Sequence, residues 1–196
     1  MSKEITIQNF LLDYKNKEQV INKYSDYKII YMSLRNNKGE NIFMFFARKG
    51  DLKVLQFLLD KCSDNFRPEE IDNEGENIFM ISAKEGKLDI LQFLLSKYSD
   101  NFKPEEINNE GENIFMISAK EGKLDILKYL KHTYIKKFQS MVNEQNKENY
   151  TALNLVLCYL DDNENTRAII HELLDTDPNI PNKDGMITVD FKFIKI

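Results

Sequence analysis

The chain has 196 residues, 42% of them hydrophobic, with a formal net charge of -5 and a pI near 5.2. That is enough apolar material for a continuous core, and the acidic balance argues against a sequence-independent grip on nucleic acid, which needs a basic face over the phosphates. No stretch approaches the roughly 20 apolar residues of a membrane span, and the start Met1-Ser2-Lys3-Glu4 lacks the basic-then-apolar order of a secretory signal, so a cytoplasmic chain without membrane insertion is expected.

In chain order, residues 1–36 read as a degenerate capping unit, with helices near 5–14 and 17–24, because Lys23-Tyr24-Ser25-Asp26 matches Lys97-Tyr98-Ser99-Asp100. The segment NKGENIFMFFARKGDLKVL opens a second unit at Asn37, spanning 37–72. A third, 73–108, opens with NEGENIFMISAKEGKLDIL, Asn73 to Leu91, and this run recurs unchanged as Asn109 to Leu127 in a unit covering 109–144, a shift of 36 residues. Copies at one period signal stacked supersecondary units, none able to bury its apolar face alone. The stretch Val142 to Leu153 opens a further unit, 145–180, in which Asn149 replaces Gly and can still take a left-handed turn. Its second helix is expected from about Thr166 to Leu174. Residues 181–196 read as a partial repeat, although Ile187, Val189, Phe191 and Phe193 alternate with polar residues as a strand does.

The seven glycines fall on two repeat positions: Gly39, Gly75, Gly111 and Gly185 before a helix, Gly50, Gly86 and Gly122 between two. Asn77 is placed to cap a short helix through Ile78, Phe79, Met80 and Ala83, which Gly86 stops. In the second helix Leu88, Ile90, Leu91, Leu94 and Leu95 fall on one face, leaving Asp89, Gln92 and Lys97 outside. The loops containing Pro68-Glu69-Glu70-Ile71 and Pro104-Glu105-Glu106-Ile107 read as short helical turns with Pro first and solvated carboxylates at the positive end. Phe66, Tyr98 and Phe102 belong to loop packing.

Signals of chemistry are weak. Glu69-Glu70 and Glu105-Glu106 have no convergent pocket of the kind that paired catalytic acids need. His132 and His171 lie in helices with no partner at metal-ligand spacing. Cys62 and Cys158 lack CxxC spacing and read as small core hydrophobes. Arg48-Lys49, Lys84, Lys120 and the run from Lys131 to Lys137 read as solvated helix faces before phosphate sites. No enzyme, cofactor or metal is expected.

These residues resemble the ankyrin repeat, a helix-turn-helix unit of about 33 residues that begins G-x-T-P-L-H and runs through A-A-x-x-G into an L-x-I-V-x-L-L helix. Gly75-Glu76-Asn77-Ile78-Phe79-Met80 occupies the first stretch, Ala83-Lys84-Glu85-Gly86 the second and Leu88-Asp89-Ile90-Leu91-Gln92-Phe93-Leu94-Leu95 the third; Asp177 to Gly185 looks like the opening of another unit. The resemblance implies an all-α solenoid of about four full repeats between degenerate terminal ones, a single domain over 1–196. The middle units depart from it in lacking the signature Thr and His, with Asn77 and Asn113 standing in as caps, and in the longer period.

The family's partners lie across a concave surface of loop tips and first-helix ends. By position the tips are Asn37, Lys38 and Glu40, then Asn73, Glu74 and Glu76, then Asn109, Glu110 and Glu112. The helix ends are Arg48, Lys49, Lys84, Glu85, Lys120 and Glu121. An acidic tip row beside a mixed-charge row suggests a partner protein with a basic or amphipathic segment, bound by a monomer. With the Lys-, Asn- and Ile-rich composition of an AT-rich genome, the resemblance implies an interaction scaffold directed at a host by a parasite or intracellular bacterium. A targeting arm of a larger enzyme and a self-associating spacer are the alternatives.

Overall fold

The apolar spacing of the sequence becomes nine α-helices among the described residues, 35–63 and 66–173, of the computed structural model. They run in chain order as α1 (Ile42–Lys49), α2 (Leu52–Cys62), α3 (Ile78–Lys84), α4 (Leu88–Tyr98), α5 (Ile114–Lys120), α6 (Leu124–Thr133), α7 (Ile135–Met141), α8 (Ala152–Tyr159) and α9 (Glu164–Glu172). The helices expected at 5–14 and 17–24, the chain from Leu174 onward with its partial repeat, and the side chain of Cys62 lie outside the described residues.

The first helix of each pair has only seven or eight residues, too few to persist alone in water. Capping and stacking hold it. The side chain of Asn41 accepts from the Met44 amide at 2.9 Å, Asn77 from Met80 at 3.0 Å and Asn113 from Met116 at 3.0 Å, so each first turn is satisfied, at Asn77 and Asn113 as the sequence predicts. The fourth pair uses another device: Thr151 Oγ1 accepts from the Asn154 amide at 3.3 Å, while Asn154 Oδ1 accepts from Thr151 N at 3.0 Å, a reciprocal box. α1 packs on α3, α3 on α5 and α5 on α8. Their buried faces join one apolar core, running from Ile42 and Phe43 through Ile78, Phe79, Ile114 and Phe115 to Leu155 and Val156, where Leu173 after α9 closes it. The outcome is an all-α helix-turn-helix solenoid.

Loop aromatics add a second line of packing. Phe43, Phe66 and Tyr98 stack edge to face at 4.8 Å centroid spacings, Phe79, Phe102 and Tyr134 follow at 5.1 and 5.0 Å, and Phe115 meets Phe138 at 5.3 Å. Each loop ring thus bridges its own first helix to the next unit, or closes on it, in the tilted geometry that ring quadrupoles favour. Phe138 reaches this place from α7, a helix that replaces the Pro-Glu-Glu loop of earlier units.

Four expectations need correction. The segments at Pro68 and Pro104 are single turns, closed by Glu70 N to Arg67 O at 3.2 Å and Glu106 N to Lys103 O at 3.0 Å, and Ile71 pairs with Asn77 in an isolated antiparallel bridge; extension towards that pairing stops a helix from growing. Glu70 and Glu106 are not solvated helix starts, because they accept from Asn41 Nδ2 and Asn77 Nδ2, each at 2.7 Å. Cys158 is exposed, not a core residue, since it lies in the last turn of α8, beyond the buried run from Ala152 to Val156. The last helix starts at Glu164 rather than Thr166, because Asn163 caps it by accepting from the Thr166 amide at 3.0 Å.

Two glycines show where backbone freedom is required. Gly75 has φ +77°, and a Cβ there would stand 2.8 Å from the amide nitrogen of Asn109 in the next tip. Gly86 has φ +68°, but its Cβ would meet only the flexible stem of Lys123 at 3.2 Å. Gly75→Ala is therefore expected to lower unfolding free energy by about 2 kcal/mol or more and Gly86→Ala by about 1 kcal/mol, measured by urea denaturation. Equal losses at the two sites would show that conformational preference alone, without close approach, governs both.

Candidate functional site

Each tip is a tight turn built by one side chain. Asn36, Asp72, Asn108 and Asn146 each accept from the amides two and four residues on: Lys38 and Glu40, Glu74 and Glu76, Glu110 and Glu112, Glu148 and Tyr150, all at 2.9 to 3.0 Å. Asn and Asp favour such turns because their short side chains mimic the next backbone carbonyl. Asn149 has φ +63° there, as the sequence predicts for the residue in place of Gly. Successive tips are joined by main-chain bonds, Asn73 N to Lys38 O, Asn109 N to Glu74 O and Lys147 N to Glu110 O, each 2.9 Å. Asn73 and Asn109 reinforce them through Nδ2 to Asn37 O at 3.1 Å and Asn73 O at 2.9 Å.

The structure brings the predicted tip and helix-end residues together on one face but gives them unequal access. Asn37, Lys38, Lys49, Asn73, Glu74, Asn109 and Glu110 are exposed, and Glu85 and Glu121 are half-buried. Glu40, Glu76 and Glu112 lie beneath the tips at 1%, 1% and 3% exposure. They do not belong to an open acidic row, and the cause is the basic residue eight positions on. Arg48 donates to Glu40 and, across the unit boundary, to Glu85, with Nη2 3.6 Å from Asp72 Oδ2. Lys84 Nζ lies 2.6 Å from Glu74 Oε2 and 2.9 Å from Glu76 Oε1. Lys120 Nζ is 2.8 Å from both Glu110 and Glu112. Arg48, Lys84 and Lys120 are thus half-buried counter-ions of buried glutamates rather than solvated ends.

Protonation follows from this geometry. Burial by itself pushes the Lys84 and Lys120 ammoniums down, but hydrogen bonds and charge from Glu74 with Glu76, and from Glu110 with Glu112, outweigh it and hold both pKa values above the ordinary lysine value. Glu74 and Glu110 are held below the ordinary carboxylate value chiefly by their hydrogen bonds to these lysines. Glu76 goes the other way, because burial outweighs Lys84. The raised lysines contribute stability that is fully present below their ordinary value of 10.5 and is lost as pH climbs through the folded value. The lowered glutamates contribute stability present above 4.5 and lost as pH falls through the folded value, an acid loss that Glu76 partly offsets. Urea midpoints should therefore decline above about pH 10.5, and Lys84→Met with Lys120→Met should flatten that alkaline decline. An unchanged alkaline limb in the double variant would contradict the assignment.

Between the second and third tips a cleft of about 220 Å³ is lined by Asn73, Glu74, Glu76 and Lys84 on one side and by Asn108, Asn109, Glu110, Glu112, Ile117, Lys120 and Glu121 on the other. No group of three or more His, Cys, Asp or Glu side chains is arranged to hold a metal ion among the described residues, and His132 and His171 are exposed on their helices. Lys131 donates to the Glu172 carbonyl at 2.7 Å and Lys137 lies 3.3 Å from Glu105, so the run from Lys131 to Lys137 ties units together rather than gathering into a phosphate site. No described helix is long and apolar enough to cross a membrane. Sequence reasoning missed the Asx turns, although Asn or Asp three residues before each tip glycine carried the signal. It also missed the Asn77 to Glu106 bond, which no local pattern announces.

Comparison with known proteins agrees with this architecture. A solved structure, the ankyrin repeat protein EF0377, superposes with a TM-score of 0.70 at 18% identity, covering 92% of this chain and 88% of its own. No curated protein sequence matches significantly. The family of ankyrin repeats matches in three copies over residues 6–105. With half of the sequence so matched and the helix pairs, capped turns and tip ladder in place, the chain belongs to the ankyrin repeat family.

Proposed function

We propose that the chain is a monomeric, non-enzymatic scaffold that binds a partner protein across the concave face formed by its tips and first-helix ends. Ankyrin repeats generally mediate protein-protein interaction. The observation that carries the reading here is a surface fixed in advance: main-chain bonds join tip to tip, and ion pairs to the buried Glu40, Glu76 and Glu112 hold the helix ends, so little order remains to be created on binding. The charge along it is uneven. Lys38, Arg48 and Lys49 against Glu40 leave +2 in the first of these units, whereas Glu74, Glu76 and Glu85 against Lys84, and Glu110, Glu112 and Glu121 against Lys120, each leave -2. A partner presenting a basic segment to the two middle units suits that pattern. The Lys-, Asn- and Ile-rich composition supports a host-directed role.

The test compares three immobilised proteins in cell lysate with mass spectrometry of what each retains. One is the natural chain, one carries Lys49→Glu and Glu121→Lys on the proposed face, and one carries Gln92→Lys and Lys128→Glu on exposed positions of the second helices. A protein retained by the first and third but reduced at least tenfold on the second is the expected result. Equal retention by all three would place recognition elsewhere.

A further inference from the structure

The three boundaries between successive described tips differ in what spans them. In the first, Arg48 spans the unit boundary from Glu40 to Glu85. In the third, Lys120 Nζ lies 5.2 Å from the ring centre of Tyr159, the residue standing where Glu85 stands in its own unit. In the second, Lys84 occupies the position of Arg48, but its ammonium is consumed within its own unit by Glu74 and Glu76. Glu121, the counterpart of Glu85, makes no ion pair among the described residues. Glu76, 1% exposed, lines this cleft with Oε2 lacking any hydrogen-bond partner. The open cleft of about 220 Å³ lies here, and its five carboxylates against two lysines leave it at -3.

We propose that this cleft receives the guanidinium of an arginine side chain presented by the partner protein, in the place that Arg48 fills one unit earlier. The chain thus contains its own template for the bound state. A guanidinium is a planar fork that can reach two carboxylates at once, whereas an ammonium is a point charge on a flexible stem; Lys84 illustrates the difference by leaving Glu121 unspanned. The inference rests on the reading of this face as protein-binding and names the chemistry it selects.

The probe is Nα-acetyl-arginine amide, titrated into the 15N-labelled chain and followed by amide shifts, with the lysine and citrulline analogues alongside. Saturable shifts centred on Glu74, Glu76, Glu110 and Glu121 are expected for the arginine compound, at least tenfold weaker affinity for lysine, and no saturable binding for citrulline. Lys84→Arg, which supplies the guanidinium from within, should weaken arginine binding at least tenfold, while Lys97→Arg, on the outer face, should not change it. Binding of arginine no tighter than lysine or citrulline, or undiminished binding in a folded Lys84→Arg variant, would overturn the proposal. Because the probe needs no native partner, such a failure alongside partner loss from the Lys49→Glu, Glu121→Lys variant rejects only the arginine assignment; failure of both experiments rejects the surface itself.

Discussion

Arg48→Met should lower the unfolding free energy by about 3 kcal/mol at neutral pH, because it strands Glu40 and Asp72, whose side chains are each 1% exposed, without their counter-ion. The loss is of a different kind from trimming a surface salt bridge, which is worth roughly 0 to 1 kcal/mol. It arises from charges that water cannot reach. The triple variant Arg48→Met, Glu40→Met, Asp72→Asn should recover most of the loss, since Asn already forms the same tip turn at position 108 and replacing a buried ionic group by apolar residues is often close to neutral. Urea unfolding of the single and triple variants measures both. A loss under about 1 kcal/mol for Arg48→Met would mean that the two carboxylates reach solvent or take up protons without cost.

Phe79→Ala is expected to cost about 3 to 4 kcal/mol. The ring is 1% exposed in the stack of first helices, and it meets Phe102 at 5.1 Å, which in turn meets Tyr134 at 5.0 Å. Truncation removes the ring's own burial and its edge-to-face contact with Phe102, the ring that reaches on to Tyr134 of the next unit, and it leaves a void in the core. Phe79→Leu keeps most of the volume and should cost about 1 to 2 kcal/mol less than the alanine variant. In a chain whose units are stabilised by neighbours, the alanine variant should also broaden the unfolding transition, as the units on either side of residue 79 lose their coupling. A sharp transition with an unchanged midpoint would contradict the packing account.

The helical architecture was legible because its causes are local. Asn77 at a cap, Gly86 at a helix end and the spacing of Leu88, Ile90, Leu91, Leu94 and Leu95 each act within a few residues, and all take the predicted places. The candidate surface was legible only in part. A glutamate at position 74 and one at position 76 look alike in sequence, yet one is exposed and the other 1% exposed, because a tight turn directs alternate side chains outward and beneath the tip. Whether Arg48, Lys84 and Lys120 face solvent or fold back onto those carboxylates depends on contacts eight to 37 residues away. The segment at Pro68 was read from its own helix-start signals, and the deciding partners, Asn41 and Asn77, lie outside it. The start of α9 is set by a local signal, the cap Asn163, which begins the helix two residues ahead of its first buried residue, Thr166.

The ladder along the tips uses main-chain atoms at Lys38 and Asn73, Glu74 and Asn109, Glu110 and Lys147, and so it is indifferent to most side chains at its joints. A whole 36-residue copy added to, or removed from, the pair of near-identical middle units would meet the same donors and acceptors at both of its borders. Slippage of the gene by one copy therefore alters reach without altering grammar. The gap between the positive unit 37–72 and the tyrosine-closed unit 145–180 would lengthen or shorten in fixed steps, and a partner that grips both ends would read the copy number as a ruler.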